Sequence, residues 1–216
     1  MSSINIIHGD CMVAMASMKD KEYDLAIVDP PYGIGQDWKK RTGNRTNLFK
    51  ETSYKNKSIP SKKYFKEIFR ISKNQIIWGY NYYTKYLGST NYLIVWDKMS
   101  SNNTVFHYSK CEIAYTSIRI PANLISLQWD GYRMGSETGV VKIHPHQKPV
   151  ALYQWLLKNY AKQGDKILDT HLGSGSSAIA ADIMGFDFTG YEIDKDYYEA
   201  ALDRFNRHKQ QLVLGF

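Results

Sequence analysis

The sequence predicts an α/β protein in which helices cover both faces of a mostly parallel, twisted sheet. Short apolar runs alternate with longer stretches of helical periodicity, the order of elements that builds parallel sheets through helical crossovers. Residues 166–192 combine a strand, a glycine-rich turn, a helix and a second strand, as in a βαβ nucleotide-binding unit. Acidic residues follow two of the predicted strands, at the ends where open α/β sheets bind ligands.

The length and composition indicate one soluble domain. A chain of 216 residues can bury a full core, and no stretch approaches the ~20 apolar residues of a membrane span. No signal peptide precedes the first predicted strand, so we expect a cytoplasmic location. Cys11 and Cys111 lack metal-site spacing, and we expect reduced, buried thiols. His144 and His146 lack a third ligand at a useful spacing, so we expect no metal site.

Positive charge is concentrated in one part of the chain. The formal net charge is +7. Residues 1–32 carry a net charge of −3, whereas residues 39–73 contain twelve Lys or Arg against two Glu. A basic block beside a candidate site favours a phosphate-binding surface, although solvated helix faces often have the same composition.

The first predicted elements lead to the stretch around which the chain is organised. A strand over 4–7, a short helix over 12–18 and an apolar strand over 24–28 end at Asp29-Pro30-Pro31-Tyr32. The carboxylate is a hydrogen-bond acceptor, and the prolines leave nearby carbonyls outside a strand ladder. The tyrosine offers a flat ring for stacking. Together these groups suit a flat heterocycle with an exocyclic amine; the alternative is a Pro-Pro turn with an incidental acid.

The middle of the chain contains one long loop and several further elements. Residues 33–58 interleave basic and aromatic side chains, which favours a nucleic-acid-facing loop that orders on binding. Disorder without function is the alternative. A polar and aromatic segment, 79–83, follows one strand. The predicted helices cover 60–71 and 150–160, and the predicted strands cover 75–78, 92–96, 112–116 and 123–129.

The last quarter contains the predicted nucleotide-binding unit. Gly173-Ser174-Gly175 forms its turn. Glu192 stands where an acid binds ribose hydroxyls, and Asp194 is the predicted N-cap of a final helix. A purely structural βαβ unit is the alternative. Its predicted elements are a strand over 166–169, a helix over 176–184 and a strand over 186–191.

These two sites, in this order, resemble S-adenosylmethionine-dependent DNA amino-methyltransferases in which the catalytic motif precedes the cofactor motif. Asp29–Tyr32 resembles the catalytic motif of adenine N6 enzymes. Leu168–Ser176 resembles the cofactor motif, with His171 where the family normally has Phe. His8–Cys11 resembles the early turn near the cofactor's adenine, and His146–Pro149 resembles the segment beside its methionine end. The resemblance covers most of the chain.

The resemblance implies a Rossmann-like methyltransferase fold with one antiparallel strand. It implies a single domain over 1–216, with the basic loop at 33–58 and a short target-recognition insertion at about 98–143. S-adenosylmethionine is the implied cofactor, double-stranded DNA the implied partner, and methyl transfer to adenine N6 in DNA the implied reaction. A homodimer is a further expectation, because two subunits would cover more DNA than one short recognition region.

The candidate site residues fall into three groups. The catalytic group is Asp29, Pro30, Pro31 and Tyr32. The cofactor-binding group is Asp10, Cys11, Asp29, Lys148, Asp169, His171, Gly173, Ser174, Gly175, Ser176, Glu192 and Ile193. The DNA-binding group is Lys39, Lys40, Arg41, Arg45 and Arg133.

Several alternatives stay open. A cytosine N4 enzyme would use the same geometry, although that group more often has Ser in place of Asp29. Related RNA and protein-glutamine methyltransferases have Asn there. Methylation of cytosine carbon 5 needs a nucleophilic cysteine, for which Cys11 and Cys111 are poorly placed. A nicotinamide-dependent dehydrogenase would explain the glycine turn but not Asp29–Tyr32, and a silent DNA-binding module would not explain an intact cofactor motif.

Overall fold

The computed structural model describes residues 2–34, 58–98, 109–129, 137 and 141–214. The predicted DNA-binding residues lie outside these ranges, as does most of the 33–58 loop. The strands are β1 (Ile4–His8), β2 (Tyr23–Val28), β3 (Ser72–Trp78), β4 (Leu93–Asp97), β5 (Cys111–Thr116), β6 (Asn123–Ser126), β7 (Lys166–Asp169) and β8 (Asp187–Glu192). The helices are α1 (Cys11–Ser17), α2 (Lys62–Ile71), α3 (Tyr80–Leu87), α4 (Val150–Tyr160), α5 (Ser176–Met184) and α6 (Lys195–Leu214).

The strands form one sheet in the order β1-β8-β7-β2-β3-β5-β4-β6. Within it, β5 runs antiparallel to both of its neighbours, β3 and β4, and the other pairings are parallel. The predicted fold class, including its one antiparallel strand, is confirmed. β7 and β2 are neighbours near the centre of the sheet. The chain leaves β7 toward β8, on the β1 side of the sheet, and leaves β2 toward β3, on the β6 side. A crevice therefore opens where β2 and β7 end, as at other switch points of open α/β sheets.

Side chains of β2 alternate between two hydrophobic cores, because successive strand residues point to opposite faces. Leu25 and Ile27 join the core that contains residues of α4, α5 and α6. Ala26 and Val28 join the core that contains residues of α1, α2 and α3. The sheet is thus covered on both faces, and the ligand-binding edge at its carboxyl ends stays open.

Helix caps explain why the chain turns near the crevice. The Asp10 carboxylate accepts a hydrogen bond from the Met12 backbone N–H at 2.7 Å and starts α1 directly after β1. The Asp194 carboxylate accepts bonds from the backbone N–H groups of Asp196 and Tyr197 at 3.0 and 3.3 Å. The predicted N-cap of the final helix is therefore confirmed.

One helix was not predicted, and one strand prediction was wrong. The segment 79–83, to which no element was assigned, begins α3, and Gly79 precedes this helix with a φ of +80°. The strand predicted over 123–129 ends at Ser126, and beyond it Trp129 turns into the core, where its indole N–H donates to the Gln147 carbonyl at 2.8 Å. Among the described residues, no helix is long and apolar enough to cross a membrane.

Candidate active site

The crevice holds a cavity of about 480 Å³ that brings the two predicted sites together. Many of the predicted catalytic and cofactor-binding residues line it. These are Asp10, Cys11, Asp29, Pro30, Pro31, Tyr32, Lys148, His171, Gly173, Ser174, Glu192 and Ile193. Asp169, Gly175 and Ser176 do not line it. Parallel strands deliver their carboxyl ends to one edge of the sheet, and this explains how residues 29 and 173 come to share a cavity.

Asp29 is surrounded by hydrogen-bond donors. The Tyr32 hydroxyl donates to its Oδ1 at 2.6 Å, and the Lys148 ammonium donates to its Oδ2 at 2.5 Å. Burial, and then the charge of Asp29, raises the pKa of Tyr32 well above its usual value, so the phenol keeps the proton it donates. The Asp29–Tyr32 motif therefore presents a fixed carboxylate to the cavity.

The carbonyls of the motif lie outside any strand ladder but have a partner that the sequence did not indicate. The Tyr83 hydroxyl lies 2.6 Å from the Pro30 carbonyl oxygen and 2.8 Å from that of Pro31. A carbonyl oxygen has two lone pairs, so each can still accept a second donor. Tyr83 is buried in α3, the helix that the sequence analysis missed.

The ring of Tyr32 is held by residues around the start of α3. Tyr82 stacks on it, with ring centroids 4.9 Å apart and planes 13° apart. Gly79 lies so close that an added Cβ would be 2.4 Å from the Tyr32 ring. Tyr82 and Gly79 are thus site residues that the sequence analysis did not identify, although the run of tyrosines after β3 was a signal.

Lys148 connects the motif to a second carboxylate. Its ammonium lies 2.9 Å from Glu112 Oε2 on β5, and Glu112 Oε1 lies 3.2 Å from the Lys98 ammonium. Burial opposes the charge of Lys148, but Asp29 and Glu112 outweigh it and raise the lysine pKa. Burial also opposes the charge of Glu112, yet Lys148 and Lys98 lower its pKa to about 2. Glu112 was missed because it follows no recognisable motif.

The glycine turn is tied to the end of β8. Gly173 and Gly175 have φ values of +54° and +74°, in the left-handed region that favours glycine. Glu192 accepts from the Gly173 backbone N–H at 2.8 Å and from the Asp194 backbone N–H at 2.9 Å. Burial raises the pKa of Glu192. Its carboxylate thus shapes the turn while lining the cavity.

Asp169 supports the turn from behind. It accepts from the Ser177 hydroxyl at 2.6 Å and from the His171 backbone N–H at 3.0 Å, and burial raises its pKa to about 7. Burial lowers the pKa of His171 to about 4, so this imidazole is neutral at pH 7. It meets the Tyr64 ring edge-on at a centroid distance of 5.4 Å, which gives it the apolar packing role expected of an aromatic ring.

Both cysteines are free, and Cys11 is not equipped for nucleophilic chemistry. Both are half-buried, whereas buried thiols were predicted. Burial, and then the charge of Asp10, raises the pKa of Cys11 to about 12, so its thiol stays protonated. Within the described ranges, no group of three or more His, Cys, Asp or Glu side chains could hold a metal ion.

Comparisons with known proteins agree on one family. A family model described as DNA methylase matches residues 49–203. The chain is 25% identical to the DNA adenine methyltransferase YhdJ of Escherichia coli K12, covering 93% of this chain and 82% of YhdJ. It is 23% identical to the type II methyltransferase M.HpaI of Haemophilus parainfluenzae, covering 93% and 74%. The crystal structure of an M1.HpyAVI–SAM complex has a TM-score of 0.59 at 19% identity, covering 95% of this chain and 100% of that one.

Proposed function

The chain belongs to the DNA methylase family, and from this premise we propose that it transfers a methyl group from S-adenosylmethionine to the N6 amine of adenine in DNA. One observation carries the proposal: the Asp29 carboxylate and the Tyr32 ring share a cavity of about 480 Å³ with the glycine turn and Glu192. Family membership removes the dehydrogenase alternative, and an adenine-specific relative supports the choice of base.

The cavity residues fit S-adenosylmethionine. Glu192 would bind the ribose hydroxyls, the Gly173–Gly175 backbone would approach the cofactor closely, and the turn at Asp10 and Cys11 would lie by its adenine. Gly173 lines the cavity with a φ of +54°, a backbone conformation that a side chain there would strain. When bound, the cofactor supplies an electrophilic methyl group on a sulfonium.

Asp29 and the proline carbonyls would orient the target amine. The amine lone pair is delocalised into the base ring, so acceptors on the N–H groups must draw the nitrogen toward tetrahedral geometry and align it. The Asp29 carboxylate and the Pro30 carbonyl are such acceptors. The ring of Tyr32 would pack on the base. No covalent intermediate is required, which agrees with a protonated Cys11.

Double-stranded DNA is the proposed partner. The target base must leave the duplex to reach a cavity at the sheet edge, at a cost of a few kcal/mol. Phosphate contacts from Lys39, Lys40, Arg41, Arg45 and Arg133 would offset this cost. We extend the proposal to a homodimer, because two chains would contact more DNA, and to the cytoplasm as its location.

A cytosine N4 amine is the second candidate, because the same acceptors suit it. The discriminating experiment incubates the protein with radiolabelled S-adenosylmethionine and DNA, then identifies the modified base after hydrolysis. N6-methyladenine is the expected product. N4-methylcytosine would reassign the base, and an absence of label in any DNA substrate would refute the proposal.

Substitution of Asp29 tests the catalytic assignment. Asp29→Ala should abolish methyl transfer because it removes the acceptor for the amine, while leaving S-adenosylmethionine affinity largely intact by calorimetry. The fold should persist, since Lys148 keeps Glu112 as a partner. Asp203→Ala, which removes an exposed carboxylate on α6, is the control. Turnover by the Asp29 variant at the wild-type rate would sink the assignment.

A further inference from the structure

Glu112 is a half-buried acid, with its side chain 22% exposed, that none of the predicted motifs includes. It lies on the antiparallel strand β5, opposite Trp96 of β4, and β5 is two strands from β2, which Asp29 follows. Its Oε2 is 2.9 Å from the Lys148 ammonium and 3.4 Å from the Tyr32 hydroxyl. Its Oε1 is 3.2 Å from the Lys98 ammonium.

Withdrawal of such charges from water is costly unless opposite charges compensate for the lost hydration. The Lys148 side chain is only 4% exposed, and its ammonium lies 5.6 and 5.9 Å from the ring centroids of Trp78 and Tyr32. Both oxygens of Glu112 are used, one by each lysine. The result is a row of side chains with alternating charge, Lys98–Glu112–Lys148–Asp29, that ends at the cavity.

The alternation of charge in this row affects the acceptor sites of Asp29. An ammonium has three protons to donate and a carboxylate about four acceptor sites. If Asp29 were the sole partner of Lys148, the ammonium would move toward it and compete for the acceptor sites that face the cavity. Glu112 draws the ammonium in the opposite direction, and Lys98 holds Glu112.

We propose that Glu112 is a positioning residue for methyl transfer: it shares Lys148 with Asp29, and so keeps acceptor sites of Asp29 available to the target amine. The inference rests on the proposed function. Glu112 does not line the cavity, so it acts through Lys148 rather than by touching the base or the cofactor.

The test is Glu112→Gln, which keeps the shape of the side chain and removes its charge. The single-turnover rate at saturating DNA and S-adenosylmethionine should fall about 10²-fold, the loss expected when a reacting group is misplaced by about 1 Å. Cofactor affinity by calorimetry should stay within about twofold, and a melting curve establishes folding. Glu112→Asp, which retains the charge, should recover part of the rate. Glu67→Gln, which removes a carboxylate that pairs with Arg70 on α2, should be indistinguishable from wild type.

A double-mutant cycle separates a role through Lys148 from an independent one. In a Lys148→Gln background, Glu112→Gln should add little to the loss of rate, because the ammonium that it positions is gone. A full additional 10²-fold loss would overturn the inference. A parallel fall of rate and cofactor affinity in the single variant would also overturn it.

The outcomes distinguish this inference from the proposed function. A folded Glu112→Gln variant at the wild-type rate refutes the role of Glu112 while leaving DNA methylation intact. A wild-type protein that methylates no DNA refutes the proposed function itself. If Glu112→Gln does not fold, Lys98→Met carries the test: it should slow methyl transfer several-fold at unchanged cofactor affinity, and an unchanged rate would overturn the inference.

Discussion

At the scale of single residues, Tyr32 shows how much of the site is set by its neighbours. Its hydroxyl donates a hydrogen bond to Asp29 at 2.6 Å, and Tyr82 stacks on one face of its ring. The ring can lie this close to residue 79 because a glycine there has no Cβ. These neighbours already restrict the orientation of the ring, so less conformational entropy would be lost when a base binds. Such pre-organisation lowers the entropic cost of recognition.

Gly79→Ala should disrupt this arrangement. The new Cβ would lie 2.4 Å from the Tyr32 ring, so the ring must move, and a φ of +80° strains any other residue. We expect the methyl-transfer rate to fall about 10²-fold, measured in single turnovers. Gly88→Ala is the matched control, since Gly88 also has a positive φ but its new Cβ would have no neighbour within 4 Å. Equal reductions of rate in the two variants would show that strain, not the ring, is responsible.

Asp169 should make stability depend on pH in a recognisable way. Burial raises its pKa to about 7 in the folded state, above the ~3.9 of an exposed Asp. Between these values the folded state binds the extra proton, so this group's contribution to stability falls as the pH rises. Asp169→Asn cannot ionise, and its stability relative to wild type should rise by about 2.5 kcal/mol between pH 5 and 7.5. Denaturant unfolding at both pH values measures this difference; a pH-independent difference would contradict it.

At the scale of elements, most of the fold was predictable because local patterns specify it. The helix predicted over 150–160 is α4, and the strand predicted over 166–169 is β7, with the predicted bounds. Apolar periodicity and glycine turns determine the structure of the few residues in which they occur. The helix α3 was missed because Gly79 has no side chain to form a capping hydrogen bond, and it precedes a run of tyrosines that have modest helix propensity.

The pairings between elements were not predictable in the same way. The pairing of Glu112 with Lys148 depends on the placement of β5 antiparallel to β3, which no local pattern specifies. The predicted catalytic and cofactor motifs were brought together because both follow parallel strands. Their supporting residues, Tyr83 on α3 and Glu112 on β5, come from elements whose sequence carries no signature.

Glu192 links two elements, and its replacement tests the cofactor pocket. Glu192→Ala removes a carboxylate that joins the glycine turn after β7 to the start of α6. Affinity for S-adenosylmethionine should fall by ~1–3 kcal/mol, the value of a charge-assisted hydrogen-bond pair, measured by calorimetry. Glu199→Ala, which removes an exposed acid on α6, is the control. Unchanged affinity in the Glu192 variant would move the ribose contact elsewhere, and Asp194 is the next candidate.

At the scale of the whole molecule, the predicted catalytic and cofactor residues gather at one edge of the sheet. Asp29, Tyr32, Glu192 and the glycine turn at Gly173 line the cavity near the carboxyl ends of β2 and β7. The amino ends of these strands, at the opposite edge of the sheet, carry Asp24, whose carboxylate accepts from Lys73 and from the Lys166 backbone. The densest group of positive charge, however, follows Tyr32 directly in the sequence. We therefore expect DNA to approach the edge that holds the cavity.

Replacement of Lys39, Lys40, Arg41 and Arg45 by Ala tests this expectation. If these side chains bind phosphates, the log–log slope of DNA affinity against salt should fall by ~0.9 for every phosphate that is no longer neutralised. Cofactor affinity should not change, because the glycine turn and Glu192 belong to the last quarter of the chain.

The control replaces four lysines at the opposite edge of the sheet, Lys73, Lys158, Lys162 and Lys166, and should preserve the slope. An unchanged slope in the first variant would mean that the segment has no role in DNA binding. Reduced discrimination between cognate and random DNA at an unchanged slope would mean that it reads bases instead. We expect the phosphate outcome, because Lys outnumbers Arg across residues 39–73 and Arg is the commoner reader of bases.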